Sequence, residues 1–253
     1  GPAGSTLFPC RTLSRSRDRF YGGCMAGRYC LSGGRWVATR ELKDLRFPAG
    51  DTNAVARPWD GGSYLAIYWV EAGHHGDHFG WGADQVARLY AAGRGFTQRR
   101  HAHTALYDHV GDAYRDDDPV PVELALDHGY AGLVTVLVER VEGIDVGELE
   151  AWMLDEGLPP VLDGGPVASC AWWMPVQLQE DMTSQAPMDL GTPPGGSNRT
   201  MQLFFLEDEP AGHWDRFVDY ARRVNTSGLA TVLFAAPFLA TVVGTDTYTD
   251  QLW

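Results

Sequence analysis

The stretch LVTVLVERVEG, residues 133–143, is a short run of apolar and β-branched residues that leads into Glu139. Runs of this kind, bounded by turn residues, favour β-strands. Two further runs have the same shape, namely YLAIYWVEAG (residues 64–73, with Glu71) and MQLFFLEDEPAG (residues 201–212, with Glu207). The glutamates are spaced 68 residues apart, from 71 to 139 and from 139 to 207. Equal spacing of similar runs indicates an internal repeat.

An amphipathic helix pattern follows each run, because apolar residues recur at positions i, i+3 and i+4. The three sets are Val86, Leu89 and Tyr90; Leu149, Trp152 and Met153; and Trp214, Phe217 and Val218. Asp145 and Glu148 are typical of a capping box at the start of the second helix. A second strand-like run follows each helix: HAHTALYDHV (101–110), PVASCAWWMPV (166–176) and LATVLFAAPFLATVV (229–243). The sequence therefore predicts three βαβ units.

The segments between these units set the domain organisation. Residues 1–60 form an N-terminal arm or a degenerate half-repeat, with RWVATREL (35–42) as the strand-like run. Residues 61–178 hold two βαβ units, residues 179–199 a Pro/Gly-rich loop, and residues 200–253 the third unit. Residues 116–130 are expected to form a turn and a short irregular segment.

Charge and cysteine content exclude several classes of function. The 253 residues carry a formal net charge of −13, which argues against a nucleic-acid or acidic-membrane partner because phosphate binding needs clustered cations. No apolar run is long enough to span a membrane. The four cysteines lack a paired CxxC spacing, which favours free thiols in a reducing, cytoplasmic compartment. No dinucleotide or P-loop fingerprint is present.

The layout resembles the dimeric α+β barrel superfamily, in particular its EthD-like members. The resemblance covers residues 61–253 and includes the closing segments FLEDEPAGHWDRFVDYARRV (205–224) and GTDTYTDQLW (244–253). It implies an α+β fold in which ferredoxin-like βαβ repeats pair around an enclosed pocket. It also implies a homodimer, and a small molecule as the partner of the pocket.

The stretch RRHAHTALYDHVGD, residues 99–112, contains three histidines within a strand-like run. Side chains alternate between the two faces of a strand. Starting from Arg99, the odd positions place His101, His103, Tyr107 and His109 on one face. The even positions are more apolar and suit the face covered by helices. The histidine face is then expected to line the barrel pocket.

These residue types favour acid–base chemistry. Imidazole exchanges protons near neutral pH, and a tyrosine on the same face donates to a developing oxyanion. We expect a cofactor-independent cyclase, isomerase or lyase acting on a small apolar or aromatic carbonyl compound, with His101, His103, Tyr107 and His109 as catalytic residues. The glycine-rich stretch AGHHGDHFGWG (72–82) is expected to be a loop at the pocket rim. It contributes His78, with the preceding Glu71 as an accessory residue.

Two alternatives use the same histidines differently. The segment from Gly95 through His101-x-His103 to Asp108 partly matches the first cupin motif, which binds a divalent metal. Asp108 has the wrong alternation for that role, and the second cupin motif is absent. A haem-dependent or metal-dependent oxidoreductase therefore remains an alternative, in which one or more of the histidines hold the group. A non-catalytic protein that binds a hydrophobic ligand is the other alternative.

Overall fold

The computed structural model describes residues 30–46, 62–95, 101–176, 190–191 and 195–241. Residues 1–29 of the expected arm, most of the 179–199 loop and the closing segment 244–253 lie outside these ranges. Within them the chain has an α+β fold with one seven-stranded antiparallel sheet. The strands are β1 (Cys30–Val37), β2 (Tyr64–Val70), β3 (Tyr107–Tyr114), β4 (Gly132–Arg140), β5 (Val167–Pro175), β6 (Arg199–Leu206) and β7 (Ala230–Ala240). The α-helices are α1 (Arg40–Asp44), α2 (His75–Ala91), α3 (Val146–Trp152), α4 (Pro159–Leu162) and α5 (Trp214–Thr226).

The three apolar runs are strands, as the sequence predicts: they form β2, β4 and β6. The order across the sheet is β2-β1-β7-β4-β6-β5-β3, and every neighbouring pair is antiparallel. The two outermost strands, β2 and β3, consequently run in the same direction. The sheet curls into a half-barrel.

Residues 132–240 form the four strands β7-β4-β6-β5, in which each helical connection crosses one strand. The chain passes from β4 through α3 and α4 to β5, with β6 between them, and from β6 through α5 to β7, with β4 between them. Asp145 is the N-cap of α3, as expected, and its carboxylate accepts a hydrogen bond from the Gly147 amide at 2.8 Å. The carboxylate thereby satisfies one of the free amides that begin a helix.

Both sides of the sheet are buried, which explains why the run of β4 is apolar at nearly every position. Val134 and Val136 point to one side and pack under the helices with Phe204, Phe217 and Tyr220. The predicted helix stripes at Leu149, Met153, Trp214 and Phe217 are buried there, so the prediction is confirmed for α3 and α5. The set Val86, Leu89 and Tyr90 of α2 is half-buried.

The other side of the sheet is the concave interior. Leu133 and Leu137 of β4 point inwards and belong to a cluster with Phe205. The Trp69 ring of β2 stacks on the Trp173 ring of β5, with centroids 4.6 Å apart and planes at 19°. Four strands, β1, β7, β4 and β6, lie between β2 and β5 in the sheet. This contact therefore shows that the sheet edges curl towards each other.

Candidate functional site

Strand β3 is shorter than the histidine stretch predicts. Its partner β5 ends at Pro175, which pairs with Tyr107, so the preceding residues have no strand beside them on that edge. His101 and His103 therefore precede the strand, and their expected place within it is wrong. His103 instead forms an isolated bridge with Gly191, whose φ of 79° places it in the left-handed region that favours glycine.

His103 and Tyr107 form the first pair at the start of β3. The His103 Nε2 atom lies 2.8 Å from the Tyr107 hydroxyl. Burial raises the pKa of Tyr107, while the Arg199 guanidinium acts in the opposite direction. In the neutral tautomer with its proton on Nδ1, the Tyr107 hydroxyl donates to Nε2; with the proton on Nε2, the hydroxyl accepts. His101 has a separate contact, from Nδ1 to the Thr104 hydroxyl at 3.0 Å.

His109 lies two residues further along β3, on the interior side but with 36% of its side chain exposed. It pairs in register with Trp173, and the two rings lie 4.7 Å apart between centroids. Through Trp173 the imidazole joins the Trp69 stack described above. The even positions do not pack under the helices as expected, because β3 is an edge strand: Asp108 is exposed and Val110 is 38% exposed.

A β-bulge next to His109 changes which residues share its side. The register shifts between His109 and Gly111, and one extra residue in a strand reverses the alternation beyond it. Asp112 and Tyr114 therefore face the interior, opposite Ala171 and Ser169. The sequence reasoning missed both residues, although an isolated glycine in a strand pattern is a known sign of a bulge.

The bulge needs glycine because the chain passes close to Trp172. A Cβ atom on Gly111 would lie 2.4 Å from Cζ2 of Trp172 and 3.1 Å from a carboxylate oxygen of Glu150. Trp172 is buried on the helix-covered side of the sheet. Packing on that side thus fixes the bulge that orients the residues of the interior side.

Asp112 connects His109 to Tyr114. The His109 Nε2 atom lies 3.5 Å from an Asp112 carboxylate oxygen, and the Tyr114 hydroxyl is hydrogen-bonded to the same carboxylate. Tyr114 in turn accepts a hydrogen bond from the Val122 amide at 3.1 Å. Burial, and to a lesser extent Asp112, raise the pKa of Tyr114 against the effect of the Val122 amide.

Residues 116–130, which we call the strap, enter the interior beside the end of β3. Val122 opens a short 3₁₀-helix and is buried together with Ala125, Leu126 and Tyr130 in the interior cluster. The Trp69 indole N–H donates to the Val122 carbonyl at 3.0 Å. The backbone amide of Val122 thus binds the Tyr114 side chain of β3, and its backbone carbonyl binds the Trp69 side chain of β2. The strap holds the two edges of the sheet together at this point.

No protein-family model matches the sequence, and the search of curated proteins found no similar sequence. The function of this chain is therefore inferred from its own residues and their geometry.

Glu139 and Arg199 form an ion pair near Tyr107. The Arg199 Nε atom lies 3.0 Å from a Glu139 carboxylate oxygen, and the two residues pair in register across β4 and β6. Arg199 affects the pKa of Tyr107 electrostatically, which places its positive charge close to the phenol. Glu139, the repeated glutamate of the second unit, thus forms an ion pair between two neighbouring strands of the sheet.

Glu71 and His78 lie at the other end of the first unit. The expected loop over residues 72–82 is wrong beyond His74, because helix α2 begins at His75 and the His78 amide bonds to the His74 carbonyl. The turn before the helix is made by Gly73, with φ 82°. The Glu71 carbonyl accepts from the His74 amide at 3.1 Å.

The His78 ring belongs to the surface of α2 rather than to a loop rim. Its centroid lies 6.2 Å from that of Trp81. Burial lowers the pKa of His78. Its Nδ1 atom is buried and has no hydrogen-bond partner within the described part of the chain.

Two further observations bear on the alternatives. Among the described residues, no group of three or more His, Cys, Asp or Glu side chains is placed to hold a metal ion. In the same ranges, no helix has the length and apolar character needed to cross a membrane.

Proposed function

We propose that the chain consists of two ferredoxin-like units that build one barrel. Residues 132–240 have the strand order of a complete unit of this kind, a split βαβ arrangement. β1, β2 and β3 have the positions of the second, third and fourth strands of another unit. The position of its first strand falls between β2 and β3, which run in the same direction, so one antiparallel strand fits there. This is the EthD-like layout with both halves in a single chain.

The barrel interior is then the ligand site, formed within one chain. A homodimer remains our prediction for the assembly; the exposed side chains of Tyr64, 67% accessible, and Val110 supply apolar surface for an interface. Among the described residues, the Cys170 thiol is free and buried, which supports the expected reducing, cytoplasmic compartment.

We propose that the protein is a cofactor-independent acid–base enzyme, a cyclase, isomerase or lyase, acting on a small aromatic or apolar carbonyl compound. The observation that carries this proposal is the position of His109 on the interior side, between the Asp112 carboxylate and the Trp173 ring. A base flanked by a carboxylate and an apolar wall is suited to removing a proton from a carbon next to a carbonyl group.

Each residue of the site has a distinct part in this reaction. His109 takes the proton, and Asp112 stabilises the imidazolium that forms and orients the ring. Tyr107 returns a proton or donates a hydrogen bond, since its raised pKa keeps the phenol neutral. His103 holds the Tyr107 hydroxyl through Nε2, and once protonated from solvent it returns that proton to the phenolate that Tyr107 leaves behind. The stacked rings of Trp69 and Trp173 offer a flat apolar surface to an aromatic substrate.

The test is proton exchange at the carbon next to the carbonyl, measured by NMR in D₂O for a panel of aromatic and aliphatic ketones. Replacing His109 with Gln is expected to slow exchange by ~10²–10⁴-fold, the usual effect of losing a general base. The matched control is His213→Gln, because His213 pairs with Asp208 at 3.0 Å on the outside of the protein. The control should exchange like the wild type.

Two outcomes would contradict the acid–base proposal. If no ketone in the panel exchanges faster with wild-type protein than in buffer, while ketones still bind, the interior is a ligand-binding site without catalysis. If the purified protein shows a Soret band, or a stoichiometric metal by elemental analysis, the oxidoreductase alternative replaces the present proposal.

A further inference from the structure

The interior side of the sheet contains polar atoms that have no hydrogen-bond partner. Within the described residues these include Ser32 Oγ, Trp36 Nε1 and Trp173 Nε1, all buried from solvent. Ser32 pairs in register with Trp69, and Trp36 and Trp173 pack with the interior cluster. A buried donor without an acceptor destabilises the folded state, so each such group in a native fold calls for an explanation.

Trp173 is distinguished from the other two by its neighbours. Its ring contacts both His109, at 4.7 Å, and Trp69, at 4.6 Å between centroids. The indole N–H acts as a donor only. The N–H of the stacked partner, Trp69, is already bonded to the Val122 carbonyl. The Trp173 N–H is therefore a fixed, unused donor beside the candidate base, and its missing partner is an acceptor.

We propose that Trp173 is the hydrogen-bond donor to the carbonyl oxygen of the substrate. This inference rests on the proposed function and extends it from the base to the group that binds the oxygen. As His109 removes the proton, the carbon–hydrogen bond breaks and its electron pair forms a carbon–carbon double bond. The carbonyl π electrons move to oxygen, and the Trp173 N–H donates to the resulting oxyanion. A donor fixed before the reaction stabilises this charge without reorganising.

The same arrangement limits the class of ligand. The acceptor must be an oxygen that projects from a flat apolar body, because the donor lies at the edge of a stack of two indole rings. Aryl alkyl ketones meet this description, and they also carry the proton next to the carbonyl group that His109 removes. A hydrocarbon of the same shape leaves the Trp173 N–H unpaired, and a site built to donate a hydrogen bond discriminates against such an analogue.

The experiment compares two probes of nearly identical shape, acetophenone and α-methylstyrene, in which a methylene group replaces the carbonyl oxygen. Dissociation constants are measured by NMR titration of the full chain. Wild-type protein is expected to prefer acetophenone by about two- to tenfold, the value of one hydrogen bond. In Trp173→Phe, which keeps an aromatic ring but lacks the N–H, acetophenone should weaken to the affinity of α-methylstyrene.

The matched control is Trp36→Phe. It makes the same change at another buried indole N–H without a partner among the described residues, which packs on Phe205 rather than on His109, so the preference for acetophenone should persist. A second measurement does not depend on the variant folding. In wild-type protein the Trp173 Nε1–H signal, assigned through its NOEs to the His109 ring, should move downfield with acetophenone and stay in place with α-methylstyrene.

The results that overturn this inference differ from those that overturn the proposed function. Equal affinity of the two probes for wild-type protein, no binding of either, or a preference kept by Trp173→Phe would each eliminate the donor role. Ketone exchange that depends on His109 but proceeds at full rate in Trp173→Phe would retain the acid–base function and reject this donor. A preference without any exchange would retain the donor and reject the catalysis.

Discussion

The helix-covered side and the interior side of the sheet differ in how their polar groups are satisfied. On the helix-covered side the buried Tyr220 hydroxyl donates to the Gln202 amide oxygen at 2.9 Å, and the Gln202 amide contacts the Met153 sulfur at 3.4 Å. On the interior side Trp36 and Trp173 keep unpaired donors. The helix-covered side has such a donor as well among the described residues, Arg223 Nε. The proposed ligand site therefore rests on the position of Trp173 beside His109 and not on unpaired donors alone.

The largest expected effect tests the stabilising role of the helix-covered side. Phe217 is 1% exposed and packs edge-to-face on Phe204, with ring centroids 5.3 Å apart. Phe217→Ala should lower the free energy of unfolding by about 3–5 kcal/mol through the cavity that it leaves, measured by urea denaturation. Under native conditions, the preference for acetophenone over α-methylstyrene should be unchanged. A changed preference in the folded variant would show that the two sides are not separable.

An intermediate effect is expected where the two sides meet, at Gly111. Gly111→Ala places a Cβ atom against the buried Trp172 ring, and overpacking of this kind costs roughly 1–3 kcal/mol. Because the bulge also puts Asp112 on the side of His109, the variant should lose exchange activity in its folded fraction. Urea denaturation and ketone exchange are measured together, with Gly129→Ala as the control, since a Cβ there meets open space. Full activity in Gly111→Ala would separate the bulge from the site.

The smallest effect on stability is expected for His78 of α2, which belongs to neither side of the sheet. Burial lowers the pKa of His78, so the unfolded chain binds a proton at this residue more readily than the folded chain does. Its contribution to stability is therefore present at neutral pH and decreases as the pH falls through the ordinary pKa of about 6.5. His78→Gln should flatten a shallow loss of stability between about pH 7 and 5. An unchanged slope would mean that another group is responsible for it.

Local sequence patterns were sufficient to predict the strands and helices whose buried residues recur at a short, regular spacing. The apolar run at residues 133–138 is a strand, and the stripes at Leu149 and Met153 and at Trp214 and Phe217 are buried helix faces. Alternation and helical periodicity are properties of neighbouring residues. The predicted strand around His101 and His103 is wrong for a related reason, because a strand extends only as far as its partner, and β5 ends at Pro175. Alternation alone contains no information about that partner.

The sequence by itself determined the α+β class, three of the seven strands from their shared apolar run, the buried faces of α3 and α5, and a histidine-bearing edge near His109. Only the tertiary structure decided that a bulge brings Asp112 and Tyr114 beside that histidine. It also decided that Val122 bonds the Trp69 indole, 53 residues away in the chain, and that Trp173 keeps an unpaired donor. The physical reason is that the spacing of apolar residues in a helix or strand depends only on the rotation between consecutive residues. Whether a buried polar atom finds a hydrogen-bond partner depends on which distant segment of the chain packs beside it. The partner of a buried polar atom is therefore known only once the strands are in order.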